Sequence, residues 1–303
     1  MDRGRASRRE TPCEASWEAS SRASREAACP DPSPSGEAAS TTSRTRSRRS
    51  AGRAPSSSTR SSATRGVEEL ARTVSALLLS GLAAGLAMGL SLVVQGVIRA
   101  RLPEAPWRDL VSGWGYTIGF LIVVLGRQQL FTENTLTPVL PLLHDRTLAV
   151  LGRLLRLWGL VLAANLVGTI LFALAIARTE VFDEGLRAQF RDISRHTLAH
   201  PFWPTLSKAV VAGWLIALMV WLLPAAGGAR PFVILLLTYV IAICGLAHVV
   251  AGSVEAAYLV FLGEAGWGDY AARFFLPTLI GNVFGGVALV AVLNWGQVAP
   301  DVE

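Results

Sequence analysis

The 303-residue chain is 51% hydrophobic, with a mean hydropathy of +0.43 and a formal net charge of +6. Those averages hide two unlike parts, and apolar stretches such as "GLAAGLAMGLSLVV" and "GVALVAVLNW", repeated over about two hundred residues, exclude an ordinary water-soluble domain. The three cysteines, Cys13, Cys29 and Cys244, offer neither a disulfide framework nor metal-ligand spacing.

The charge is not spread evenly. Residues 1–66 hold 13 Arg against 7 acidic residues, while the rest of the chain balances 15 against 15. This Arg/Ser-rich tail has almost no aliphatic residues, cannot offset its chain entropy by burial, and is expected to be disordered. It lacks an apolar core of signal-peptide length, so secretion by cleavage is not expected. Its charge would suit nucleic acid or anionic lipid, but such tails usually stay solvated, and no nucleic-acid partner is expected.

Residues 67–303 read as a six-span transmembrane domain, with segments at about 73–98, 109–126 continuing to 143, 154–177, 205–224, 231–262 and 274–296. In the first, Gly81, Gly85 and Gly89 recur every four residues and permit close helix approach. The second is interrupted. After "GYTIGFLIVVLGRQQLF" come Thr132, Glu133, Asn134 and Thr135, and then the short apolar piece "TPVLPLL". Pro138 and Pro141 cannot donate to a helical ladder. Irregular backbone at this depth is tolerated only where protein or a water-filled cavity surrounds it.

The third span carries "ANLVG" with Asn165, and the sixth "GNVFG" with Asn282. The fifth is too long for one crossing and is broken at Gly245, His248, Gly252 and Ser253. Thr132 to His248 is 116 residues and Asn165 to Asn282 is 117, so two landmarks share nearly one offset. Spans one to three and four to six therefore read as two copies, the second inserted upside down. The fold expected is an all-α membrane protein of two inverted three-helix repeats, with helices 2 and 5 interrupted. An even number of spans places both termini on one side, and the arginines ahead of the first span favour the cytoplasm.

Two interrupted helices facing each other would present free N–H groups and partial positive charge to an anion, worth up to about 2 kcal/mol. His248 is the only histidine within a span, and intramembrane ionisable groups are functional candidates. As imidazolium it can lend a proton to a weak-acid anion, with Thr132 holding its tautomer. Asn165 and Asn282 are expected to bond the broken backbone. Glu133, Glu255 and Arg127 read as caps or ion pairs, while Phe120, Leu130, Phe131 and Ile241 are candidate hydrophobic gates. No metal-ligand cluster or nucleophile–base pair stands out, so neither an enzyme nor a cofactor is expected.

The segments "GYTIGFLIVVLGRQQLFTENTLTPVLPLL", "RLWGLVLAANLVGT", "GLAHVVAGSVEAAYLVF" and "LPTLIGNVFGGV" together resemble the formate/nitrite transporter family, closest to its branch with an "LFTEN" loop. The resemblance covers about 70–300. It implies an aquaporin-like fold, a homopentamer with one pore per subunit in the inner (plasma) membrane, and passage of small monovalent anions with a proton. It implies that Leu130, Phe131 and Thr132 form the second-span loop and that His248 is the central histidine. This chain departs from the pattern at Gln129 and Ala247, where acidic residues are usual, at Glu133, where small residues are usual, and in a fourth span without asparagine. The pore-lip lysine is not found near Thr197, although His196 and His200 are close. A neutral-solute pore, or a scaffold closed by a Glu133–Arg127 pair, remains open beside the anion pathway.

Overall fold

A computed structural model describes residues 65–292, which form helices joined by turns, with no strand among them. The tail expected over 1–66 lies outside the described residues except for Arg65 and Gly66, and so do residues 293–303, with the expected end of the sixth span. A short helical stretch, 65–70, precedes α1 (Val74–Arg101) and α2 (Arg108–Leu125). A 3₁₀ turn at Glu133–Thr135 leads to α3 (Val139–Asp145), then α4 (Leu148–Arg178) and α5 (Glu184–Leu198). The second half has α6 (Phe202–Leu222), α7 (Arg230–Ile243) and α8 (Ala251–Phe261). A final helix, α9, starts at Trp267 and passes through π segments at Tyr270–Phe275 and Gly285–Val292.

Five helices, α1, α2, α4, α6 and α9, are long and apolar enough to cross a membrane; α7 and α8 together make the interrupted crossing. Thr147 opens α4 by accepting from Val150 N–H (3.3 Å), earlier than hydropathy suggests. Arg153 and Arg156 depress the apolar average there but point outward, so they do not stop the helix. The interval 178–204, between the expected third and fourth spans, contains α5. Its Phe190, Ile193 and Leu198 are buried while Arg195 pairs with Glu264 outside at 2.9 Å. It is an amphipathic helix lying on the bundle rather than a crossing.

The two halves repeat the same construction. α1 packs on α2 and α4, and α6 packs on α7 and α9. A Cβ at Gly85 would strike the carbonyl oxygen of Asn165, and one at Gly213 would strike that of Asn282, so glycine allows the same close crossing twice. α2 stops with Arg127 in the left-handed region (φ 52°) and Gln128 N–H donating to Val123 O (3.0 Å). α7 stops with Gly245 (φ 56°) and Leu246 N–H donating to Ile241 O (3.0 Å). Both are Schellman-type ends, and 127 to 245 is an offset of 118.

That offset refines the expected register. The equivalent of His248 is Leu130, and the equivalent of Thr132 is Val250. The break-to-asparagine separation is 34 residues in the first half and 33 in the second, which is why the asparagines are only 117 apart. The restarts also differ. Pro138 and Pro141 confine the first to a 3₁₀ turn and seven helical residues, whereas α8 runs for eleven.

Candidate functional site

Each break is held by one buried asparagine. Asn165 Oδ1 accepts from Phe131 N–H (2.9 Å), while its Nδ2 donates to Gln129 O and Gly81 O (both 2.8 Å). Asn282 Oδ1 accepts from Val249 N–H (2.8 Å), while its Nδ2 donates to Ala247 O (2.9 Å) and Ala209 O (2.8 Å). One amide thus supplies the donor and acceptor that an interrupted ladder lacks, and anchors it to a neighbouring helix.

The breaks meet at a buried pair. Thr132 Oγ1 lies 2.7 Å from His248 Nε2, and both residues are 1% exposed. Ala251 N–H donates to His248 Nδ1 (3.1 Å). Since Nδ1 is an acceptor, a neutral ring carries its proton on Nε2 and donates to Thr132, leaving the hydroxyl hydrogen of Thr132 free for another acceptor. The Phe120 ring stands edge-on to the imidazole, with centroids 4.9 Å apart.

The expectation of free N–H groups at the half-helix starts is narrowed, because several of these donors already have partners. Ala251 N–H goes to the imidazole and Gly252 N–H to His248 O (2.9 Å). In the other break, Glu133 and Asn134 N–H both donate to Leu130 O, at 3.1 and 3.3 Å. Tight turns satisfy these four donors internally, so the partial charge of the helix start remains but these hydrogen bonds are occupied.

A cavity opens toward each end of the bundle. One, of about 300 Å³, includes His248, Ile241, Tyr116, Glu255, Lys208 and Arg99 in its lining. The other, of about 100 Å³, includes Leu130, Glu133, Arg65, Arg127 and Arg230. Phe120, Leu130 and Ile241 are buried between or at the inner limits of these cavities. Phe131 is directed elsewhere, its ring 6.0 Å from that of Trp158 on α4. Among the described residues no ion pair joins Arg127 to Glu133, so the closure weighed from the sequence does not form. Arg127 is exposed and contributes its backbone turn. Glu255 accepts a hydrogen bond from Thr197 Oγ1 across to α5.

Lys208 escaped the sequence reading. Its Nζ lies 2.7 Å from His200 Nε2 in the larger cavity. It is the only lysine in the chain, and it lies within an apolar span, which was the available signal. Burial, then Lys208 and His196, lower the His200 pKa from the ordinary 6.5, so this ring is neutral at pH 7 and accepts from the ammonium. Glu69 was also missed, and no local signal pointed to it. Its carboxylate accepts from Gln129 Nε2 (2.6 Å), and Gln129 Oε1 accepts from Asn134 Nδ2 (2.9 Å).

Residues 57–296 match the family model described as formate/nitrite transporter. The chain belongs to the formate/nitrite transporter family. The inner membrane protein YfdC of Escherichia coli (strain K12) is 44% identical over 212 residues, covering 70% of this chain and 68% of that protein. The formate channel BtFdhC of Bacillus thuringiensis is 30% identical, covering 64% and 75% respectively. A solved pentameric formate channel with formate bound superposes with a TM-score of 0.65 at 21% identity, over 75% of this chain and 98% of the other. An FNT family ion channel gives 0.69 at 19% identity, over 79% and 98%. The fold is the aquaporin-like one of these channels. Against the formate/nitrite transporter pattern, Lys208 supplies an ammonium that the sequence lacked near Thr197, and Glu69 brings a carboxylate to Gln129 from a remote segment.

Proposed function

We propose that this member of the formate/nitrite transporter family passes small monovalent weak-acid anions, and that the ion is protonated at the Thr132–His248 pair to cross the apolar barrier. The assembly is a homopentamer in the inner (plasma) membrane with one pore per subunit and both termini cytoplasmic. The arginines of 1–66 support the orientation, and the solved pentameric relative supports the assembly.

An anion entering the larger cavity meets Lys208 and the field of the α8 start, while Arg99 there is already paired with Asp109 and Asp192. Ahead lie Phe120, Leu130 and Ile241, where an unpaired charge is expensive. Protonating Nδ1 would cost the bond from Ala251, roughly 0.5–1.5 kcal/mol. An anion about 4 Å away returns roughly 4 kcal/mol at an effective dielectric of 20. The arriving anion thus favours a ring that takes a proton from water at Nδ1; Thr132 Oγ1 accepts the Nε2 proton as its own hydroxyl hydrogen passes to the anion, and the solute crosses as the neutral acid.

The observation that carries this reading is the buried 2.7 Å contact between Thr132 and His248, joining two breaks 116 residues apart. Labelled formate uptake into proteoliposomes tests it. Flux should rise as pH falls and collapse in His248→Ala. Passage of glycerol or water alone would favour a neutral-solute pore, and no flux at all would favour a scaffold.

A further inference from the structure

We propose that Glu133 is the proton acceptor on the tail-bearing side of the barrier, taking the proton from the neutral acid that emerges past Leu130. The inference rests on the preceding reading that the solute crosses as the acid.

Glu133 lies one 3₁₀ turn beyond the barrier, its N–H donating to Leu130 O (3.1 Å), and both residues line the cavity of about 100 Å³. Its Oε1 is buried and has no hydrogen-bond partner, and the same is true of Gln128 Oε1 in the same lining. Two unoccupied acceptors suit a solute arriving with an O–H donor and do not suit a bare anion. Among the described residues no group of three His, Cys, Asp or Glu could hold a metal, so the vacant acceptors are not part of such a cluster.

The surrounding charges suit the product. Arg65 comes from the 65–70 stretch, Arg127 from the end of α2 and Arg230 from the start of α7. The α6 side contributes only Val220 and Leu223. The remaining carboxylate, Glu69, is engaged by Gln129 (2.6 Å) and Arg72 (3.4 Å). Glu133 is therefore the carboxylate of this lining with a buried oxygen that has no partner, and the arginines receive the anion once its proton has gone. In the step, the O–H bond of the acid breaks, a bond from that hydrogen to Glu133 Oε1 forms, and the electron pair stays on the departing anion. Glu133 then releases its proton to water.

Initial rates of labelled formate uptake test this in solute-free proteoliposomes, sorted by protease protection of an N-terminal tag so that the tail-bearing face is inside. Outer pH is fixed and luminal pH is varied between about 4 and 8. Wild-type uptake should slow as the lumen becomes acid enough to keep Glu133 protonated. Glu133→Gln should lose that luminal dependence and slow uptake on the order of tenfold or more, and Glu133→Asp should restore the dependence. Glu133→Gln with wild-type rate and unchanged luminal dependence overturns the proposal. If that variant fails to assemble, wild-type uptake indifferent to luminal pH overturns it equally. Normal, pH-dependent flux in His248→Ala would instead overturn the histidine reading on which it rests.

Discussion

Replacing Asn282 by leucine removes three hydrogen bonds at one stroke. Ala209 O lies inside α6 and keeps its intrahelical partner, so its loss matters little. Ala247 O and Val249 N–H lie in the break, where no ladder replaces the amide. Val249 N–H is buried and Ala247 O partly so; orphaned at up to about 1–3 kcal/mol each, they give roughly 1–6 kcal/mol of destabilisation. Asn165→Leu leaves Gln129 O and Phe131 N–H in the same position and should cost a similar amount. Asn282→Asp keeps the acceptor for Val249 but sets a carboxylate against two carbonyl oxygens, so it should be no milder. Thermal unfolding of the purified protein in detergent, followed by circular dichroism and oligomer retention on gel filtration, reads the loss. Either leucine variant melting at the wild-type temperature with full transport would refute the idea that single amides hold the breaks.

Thr132→Val should leave the fold and oligomer intact but reduce formate flux on the order of tenfold or more, since Nε2–H loses its acceptor and the pore a hydroxyl. Thr132→Ser should retain most flux, and full flux in the valine variant would remove the hydroxyl from the mechanism. Arg127 holds a left-handed conformation that its counterpart Gly245 adopts without strain. Arg127→Gly should therefore raise thermal stability by about 1 kcal/mol, and Gly245→Ala should lower it by about as much. His200, its pKa lowered first by burial and then by Lys208 and His196, should gain a proton only as pH falls below the ordinary 6.5. That second charge beside Lys208 should lower the KM for the anion in acid, and His200→Gln should abolish the improvement in uptake assays. For folding the sign is the same as for a depressed acid: the contribution is intact above the ordinary imidazole value and is lost as pH falls through the lowered one.

The sequence by itself determined the six crossings, because hydropathy averaged over some twenty residues is a local property that no distant contact can reverse. It also determined where two of them break, since prolines at 138 and 141 and glycines at 245 and 252 act on their own backbone. The pairing of Asn165 with Asn282 was legible because inverted copies keep their internal spacing. Only the tertiary structure decided the register of 118, which makes Leu130 rather than Thr132 the counterpart of His248. It also decided that Ala251, Gly252, Glu133 and Asn134 N–H are occupied, that Lys208 meets His200, and that Glu69 reaches Gln129 across 60 positions. Hydrogen bonds are directional and are completed between segments far apart in the chain, so their partners become known only when the helices are placed in space.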